Sequence, residues 1–284
     1  MPKKFPCADC NNHIPPSAER CPHCGRPGLF PNVRAAEESA ERVALDRRYQ
    51  AAIKSAEKRR TVSNLKDFEV VASKSSAVIA RSINELQRLV SSDSEVYATY
   101  YQLIEGGTRI PSGDKWDRLR RIADAALFPG YEKHIRFAAL TLDGIGLFNY
   151  GDCSISLRTD MIAHRASIFE KNSIIFMERG GSKLWKGKPL PKGYRAVWDE
   201  RGKLCIAKLS RKIAATTRAD QYANLLLHQG ISSKDDDFVE VHIWGPMTIR
   251  TVDQIVFAPS ADPAKNVIIK ALTEKLLKAG VKVK

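Results

Sequence analysis

No apolar run in these 284 residues is long enough to span a bilayer, so no membrane-spanning helix is expected. No hydrophobic segment of signal-peptide type follows Met1, which places the chain in the cytoplasm by expectation. Glycine-rich phosphate loops of the Walker or Rossmann kind are missing, because Gly144-x-Gly146 is too short to count. The Gly-x-Ser-x-Gly elbow of serine hydrolases and the His-Glu-x-x-His metal motif are missing too. Acidic residues are the minority: 32 Asp and Glu stand against 46 Lys and Arg, a net charge of +14. Such a surplus disfavours mimicry of an acidic protein and favours phosphate-rich partners through counterion release. Nucleic acid is therefore expected as a partner, although charge alone does not separate DNA from RNA or from an anionic protein. Cysteine is scarce, with six in all, and four of these crowd into the first 24 residues.

Those four are Cys7-Ala-Asp-Cys10 and Cys21-Pro-His-Cys24, two Cys-x-x-Cys pairs separated by ten residues. The short spacing lets both thiolates of a pair reach one ion, and four thiolates complete a tetrahedral Zn²⁺ site. No disulfide is needed to explain them. Gly25 follows the second pair, where such knuckles often turn through positive φ. Pro15-Pro16 stiffens the loop between the halves, and His13 and His23 are spare ligands. Residues 1–31 resemble a zinc ribbon, which implies a structural zinc and a module that grips nucleic acid or protein, or caps a domain.

Residues 32–62 are dominated by charge, with a narrow stripe of Ala36, Ala40, Val43, Ala44, Ile53 and Ala56. They predict one long solvated linker helix over 33–60, and a homo-oligomer through that helix is a weaker expectation. Residues 63–130 predict a helical region. Its stripes are Leu65, Phe68, Val71 and Ala72; then Val78, Ile79, Ile83, Leu86, Leu89 and Val90; then Val96 to Ile104. A fourth helix, capped by Ser112, carries Trp116, Leu119, Ile122, Ala123 and Leu127. The tyrosines here read as core and helix-pair contacts.

From residue 131 to 284 the texture is α+β. Expected strands are 135–142, 153–157, 166–169, 173–177, 203–209, 239–244 and 252–257. Expected helices are a turn at 161–164, then 221–228 and 265–279. Cys153 and Cys205 read as buried apolar residues rather than nucleophiles. The most informative stretch runs from Asp235-Asp236-Asp237 through Phe238-Val239-Glu240-Val241-His242-Ile243-Trp244 to Gly245-Pro246. Strict alternation puts Val239, Val241 and Ile243 on one face. Phe238, Glu240, His242 and Trp244 share the other, setting a carboxylate and an imidazole between aromatic rings. That is either a mixed outer face or a functional cleft.

Residues 131–257 resemble ADP-ribosyltransferase-like domains. The resemblance rests on Glu240-Val241-His242-Ile243-Trp244-Gly245-Pro246-Met247 with Val252-Asp253-Gln254-Ile255. It rests also on Tyr150-Gly151-Asp152-Cys153 to Arg158, and on His164-Arg165-Ala166-Ser167-Ile168-Phe169 with Asn172-Ser173, which looks like a toxin-type branch. It implies a split antiparallel sheet that grips NAD, with Glu240 as the carboxylate that stabilises an oxocarbenium as nicotinamide leaves. Ser167, with Arg165 beside it, takes the middle-strand role, and Ser173 the turn after it. The first-strand anchor is open among His134, Arg136 and Arg158. This chain departs from the family at the middle strand, which reads Arg-Ala-Ser rather than Ser-Thr-Ser. It departs also at His242, where arginine-specific members carry Glu.

The segment 183–218 interleaves Lys183, Lys186, Lys188 and Arg195 with Trp185, Tyr194 and Trp198. Cations alternating with rings suit a single-strand groove, or else a solvated loop anchored by its aromatics. The leading expectation is transfer of ADP-ribose from NAD to a nucleic acid or a nucleic-acid-associated protein, as a toxin or anti-phage defence effector. Two alternatives remain: a non-enzymatic zinc-ribbon nucleic-acid-binding protein, and a metal-dependent nuclease. The nuclease triplet would be Glu-x-Lys, whereas here it is Glu240-Val241-His242.

Overall fold

The computed structural model describes residues 5–7, 9–15, 17–107, 110, 113, 115–179 and 190–284. Ser112, Lys183, Trp185, Lys186 and Lys188 lie outside the described residues. Among the described residues no helix is long and apolar enough to cross a membrane.

The chain is α+β, built on one hydrogen-bonded sheet of eight strands. In spatial order these are Lys282–Val283 (β12), Val252–Phe257 (β11), Cys153–Leu157 (β5), Ser76–Arg81 (β3), Ile135–Thr141 (β4), Glu240–Trp244 (β10), Ala166–Phe169 (β6) and Arg195–Val197 (β7). The β11–β12 edge is parallel and the other pairings are antiparallel. The implied split sheet is thus replaced by a continuous one. Two short hairpins stand apart: Phe5–Pro6 (β1) with His13–Ile14 (β2), and Leu227–His228 (β8) with Asp237–Phe238 (β9).

Strand β3 overturns the all-helical expectation for 63–130. Its four inner residues, Ala77, Val78, Ile79 and Ala80, are all buried. A strand covered on both faces shows no alternation, so its apolar run merges with the helix that follows. That helix, Ile83–Leu89 (α4), is a separate element. Ser82 caps it in a box with Glu85, each side chain taking up the other's backbone N–H.

The sheet has two unlike faces. Ile79, Ala138, Leu140, Val239, Val241 and Ile243 join the main core with three helices. These are Ser39–Arg59 (α2), which follows Pro31–Glu37 (α1), then Val62–Ala72 (α3), and the helix Arg201–Leu209. On the opposite face Ile135, Phe169 and Trp244 pack with Phe128 and Tyr131, while Val78, Ala139, Leu147 and Phe238 make a smaller patch. A cleft lies between these patches.

Three further expectations are corrected. The single helix over 33–60 is two, because Glu38 leaves the helix at φ −50° and ψ 132°. Nor is it a solvated linker: Leu45, Ala52 and Ala56 are spent in the chain's own core, where α2 packs on Arg201–Leu209 and β7. The segment 173–177 is helical (Ser173–Arg179), since Asn172 Oδ1 accepts from the amides of Ile174 at 2.9 Å and Ile175 at 3.3 Å and fixes the first turn. Segment 203–209 is helical as well. Leu204, Cys205, Ile206 and Leu209 are all buried, and so compact an apolar run fits either period. Strands β5, β6 and β11 form where expected, as does the C-terminal helix Pro263–Lys278, capped by Asp262.

Candidate functional site

The N-terminal cysteines are gathered by local geometry into a set compatible with a metal site. Each knuckle repeats one backbone pattern: Cys7 N donates to Asn12 O and Asn11 N to Cys7 O, just as Cys21 N donates to Arg26 O and Gly25 N to Cys21 O. The residue after each second cysteine is left-handed, Asn11 at φ 56° and Gly25 at φ 71°. All four sulfurs lie within 4.8 Å of one another. Cys7 and Cys24 Sγ are 3.7 Å apart, Cys10 and Cys21 Sγ 3.5 Å. Zinc–sulfur bonds of about 2.3 Å in a tetrahedron put sulfurs about 3.8 Å apart, so the donor set fits zinc. Among the described residues no other cluster of three ligand side chains has this form.

The module is seated on the body. Trp244 Nε1 donates to Glu19 Oε1 at 2.8 Å, and Arg34 Nη2 donates to the carbonyls of Pro15 and Ala18. In α1, Asn32 Nδ2 donates to Arg165 O, Ser167 Oγ and His242 O, tying the helix across β6 and β10.

The cleft, about 390 Å³, opens over β3 and β4 and ends at Glu240. Its sides come from Tyr100–Glu105 (α5) and Lys115–Leu127 (α6), through Tyr100 and Arg120, and its far end from Tyr150, Asn172 and Ser173. Glu240 is 5% exposed. Its Oε1 lies 2.7 Å from His242 Nε2, and its Oε2 accepts from Ser173 N at 3.2 Å. An ionised Glu240 requires the proton on His242 Nε2. The imidazole is held by rings: Phe128 at 4.7 Å, Phe137 at 5.4 Å and Phe169 at 6.0 Å between centroids. So caged, His242 fixes the carboxylate's orientation.

Neighbouring groups feel the same low-dielectric setting. Burial pushes the Asp124 carboxyl up to about 7, Glu240 and Glu132 adding to the effect and Arg120 and the Tyr101 hydroxyl opposing it. Tyr101 donates to Asp124 Oδ2 at 3.0 Å. Burial also lifts Tyr150 to about 12, with Asp236 and Glu240 contributing. It lowers Arg136 to about 10, with Arg165 contributing.

Of the residues singled out in the sequence, Glu240, Arg136 and Ser173 line this cleft. Ser173 reaches Glu240 through its backbone amide. Arg165, Ser167 and Arg158 do not join them. Arg165 donates to the carbonyls of Met161, Trp244 and Pro246. Ser167 pairs in register with His242 rather than Glu240, and its hydroxyl meets Asn32. Arg158 donates to Val252 O at 3.1 Å. Backbone carbonyls at strand ends have claimed the two arginines. In the basic segment, Arg195 lies 3.2 Å from Glu41, and Trp198 is a core residue with Arg201 over its ring at 4.5 Å, leaving no face for a base. Cys153 and Cys205 are buried as expected, and burial pushes both thiols up to about 12.

Sequence reading missed Arg120; it took Tyr100 for a core contact and Asn172 for part of a turn, whereas both line the cleft. Asn172 was legible as a helix cap. Arg120 lies on the border of the α6 stripe, four residues after Trp116, and nothing local marks it. Comparison with known protein families finds no match for this chain, and comparison with curated proteins finds none either.

Proposed function

We propose that the cleft transfers ADP-ribose from NAD to a nucleic acid or a nucleic-acid-associated protein. One observation carries the reading: a buried carboxylate, Glu240, is held at the end of a ligand-sized cleft by His242 Nε2 and Ser173 N. A fixed carboxylate beside an anomeric carbon stabilises positive charge as the glycosidic bond breaks and nicotinamide departs with the bonding electrons. The acceptor's nucleophile then attacks that carbon and gives up its proton. The four-cysteine module and the +14 charge support a nucleic-acid acceptor.

The nuclease alternative draws less support. Asp236 Oδ1 accepts from Gly230 N and Asn149 Nδ2, and Asp237 pairs with Lys208 and Lys212, so neither acid converges on Glu240. In the test, the full chain is incubated with labelled NAD and mixed nucleic acids or protein. Label should appear in a macromolecule, and Glu240→Gln should remove it. A wild-type chain that neither binds nor consumes NAD sinks the reading. Acceptor binding should weaken steeply with salt and be tested through Trp185→Ala. Trp198→Ala would instead cost about 3–5 kcal/mol of core packing and could not report on binding.

A further inference from the structure

Glu240 accounts for one end of the cleft and leaves its cations unexplained. Elsewhere the buried arginines donate to backbone carbonyl oxygens. Arg165 takes three, and Arg201 takes those of Ser75 and Trp198. Arg136, inside the cleft, takes those of Tyr97 and His134 together with Gln102 Oε1. Arg81 sits 3.6 Å from Glu85. Arg120 is the exception. It lines the cleft, is half-buried, and makes no ion pair among the described residues. Asp124 stands one turn further along the same helix and feels the Arg120 charge, yet its hydrogen bond comes from Tyr101. The Arg120 guanidinium lies 5.2 Å from the Tyr100 ring centroid and 5.6 Å from that of Phe137, so its plane is set by rings rather than by an acid.

We propose that Arg120 binds the phosphate of a nucleotide ligand in this cleft, the ligand class being a nucleoside diphosphate or a molecule that contains one. A guanidinium presents paired N–H donors that match two phosphate oxygens, and partial burial strengthens the bond relative to water. Charge balance agrees, since three arginines (Arg81, Arg120, Arg136) face two acids (Glu85, Glu240), and both acids already have partners. Tyr100 and Phe137, which hold Arg120, and Tyr150 opposite are rings against which a base or ribose can pack. The inference shares with the transferase reading the premise that the cleft is a ligand site, and it is independent of which bond is broken there.

Calorimetric titration of the full chain with ADP and with inorganic pyrophosphate tests it. Wild type should bind both, more weakly at higher salt. Arg120→Ala should weaken ADP binding about tenfold to a hundredfold, as expected for loss of a charged hydrogen-bonding partner. Arg120→Lys keeps the charge without the fork and should fall between the two. It also serves if the alanine variant proves unstable. Binding of neither probe by wild type, or equal ADP affinity in wild type and both variants, overturns the proposal. Arg120-dependent ADP binding in a chain that never consumes NAD upholds it while removing the transferase reading. NAD consumption untouched by Arg120→Ala does the reverse.

Discussion

Burial holds the Asp124 carboxyl at about 7, far above its ordinary 3.8. An acid raised in this way keeps a proton in the fold that the unfolded chain has already released. The stability linked to that proton is fully present below about 4 and is lost as pH climbs through about 7. Asp124→Asn carries no charge at any pH and can still accept from Tyr101. Its melting temperature relative to wild type should therefore be several degrees higher at pH 8 than at pH 5, since a few kcal/mol are at stake and each moves a chain of this size by about 2 °C. An equal difference at both pH values would count against a buried, proton-holding Asp124.

Two elements depend on acids and caps that the linear pattern under-reads. Glu41 in α2 is fully buried, and its carboxylate accepts from Gly193 N at 2.6 Å and lies 3.1 Å from Lys192 Nζ and 3.2 Å from Arg195 Nε. Removing one partner of a buried ionic group strands the others, so Glu41→Ala should cost about 3–5 kcal/mol in denaturant unfolding, and Glu41→Gln less. A cost below about 1 kcal/mol would mean α2 is held by apolar packing alone. Ser82→Ala removes the cap that separates β3 from its helix and should cost about 1 kcal/mol. Its side chain marks the sequence signal for that break: Ser82-x-x-Glu85 restarts a helix in the middle of what otherwise reads as one stripe.

Across the whole molecule, the cysteine module and the cleft share strand β10. Trp244 at its end holds Glu19, and Asn32 reaches the carbonyl of His242, which orients Glu240. The module's own buried apolar content among the described residues is small: Cys7, Ile14 and Cys21, with Cys10 and Ala18 against them. A metal bound there would therefore supply most of its folding energy. Purified chain should carry one zinc per molecule by elemental analysis. Chelation should lower the melting temperature and shift tryptophan emission to the red as Trp244 loses its cover. Full-length chain that holds no zinc, or that melts unchanged with chelator, would refute this coupling.

The sequence by itself determined what depends on near neighbours. Both cysteine knuckles close through bonds spanning five residues or fewer, so spacing alone located the site. Alternation along 238–244 named Glu240 and His242 as sharing a face, and both are held together there. Tertiary structure decided the rest. Strand β3 joins the sheet through pairs such as Val78 with Ala139, and two buried faces erase the period that would have announced it. The same holds for the arginines. Arg165 and Arg120 look alike in sequence, yet carbonyls of Trp244 and Pro246 quench the first, while rings of Tyr100 and Phe137 leave the second open to the cleft. Which cation remains available is set by long-range partners, and no local pattern encodes them.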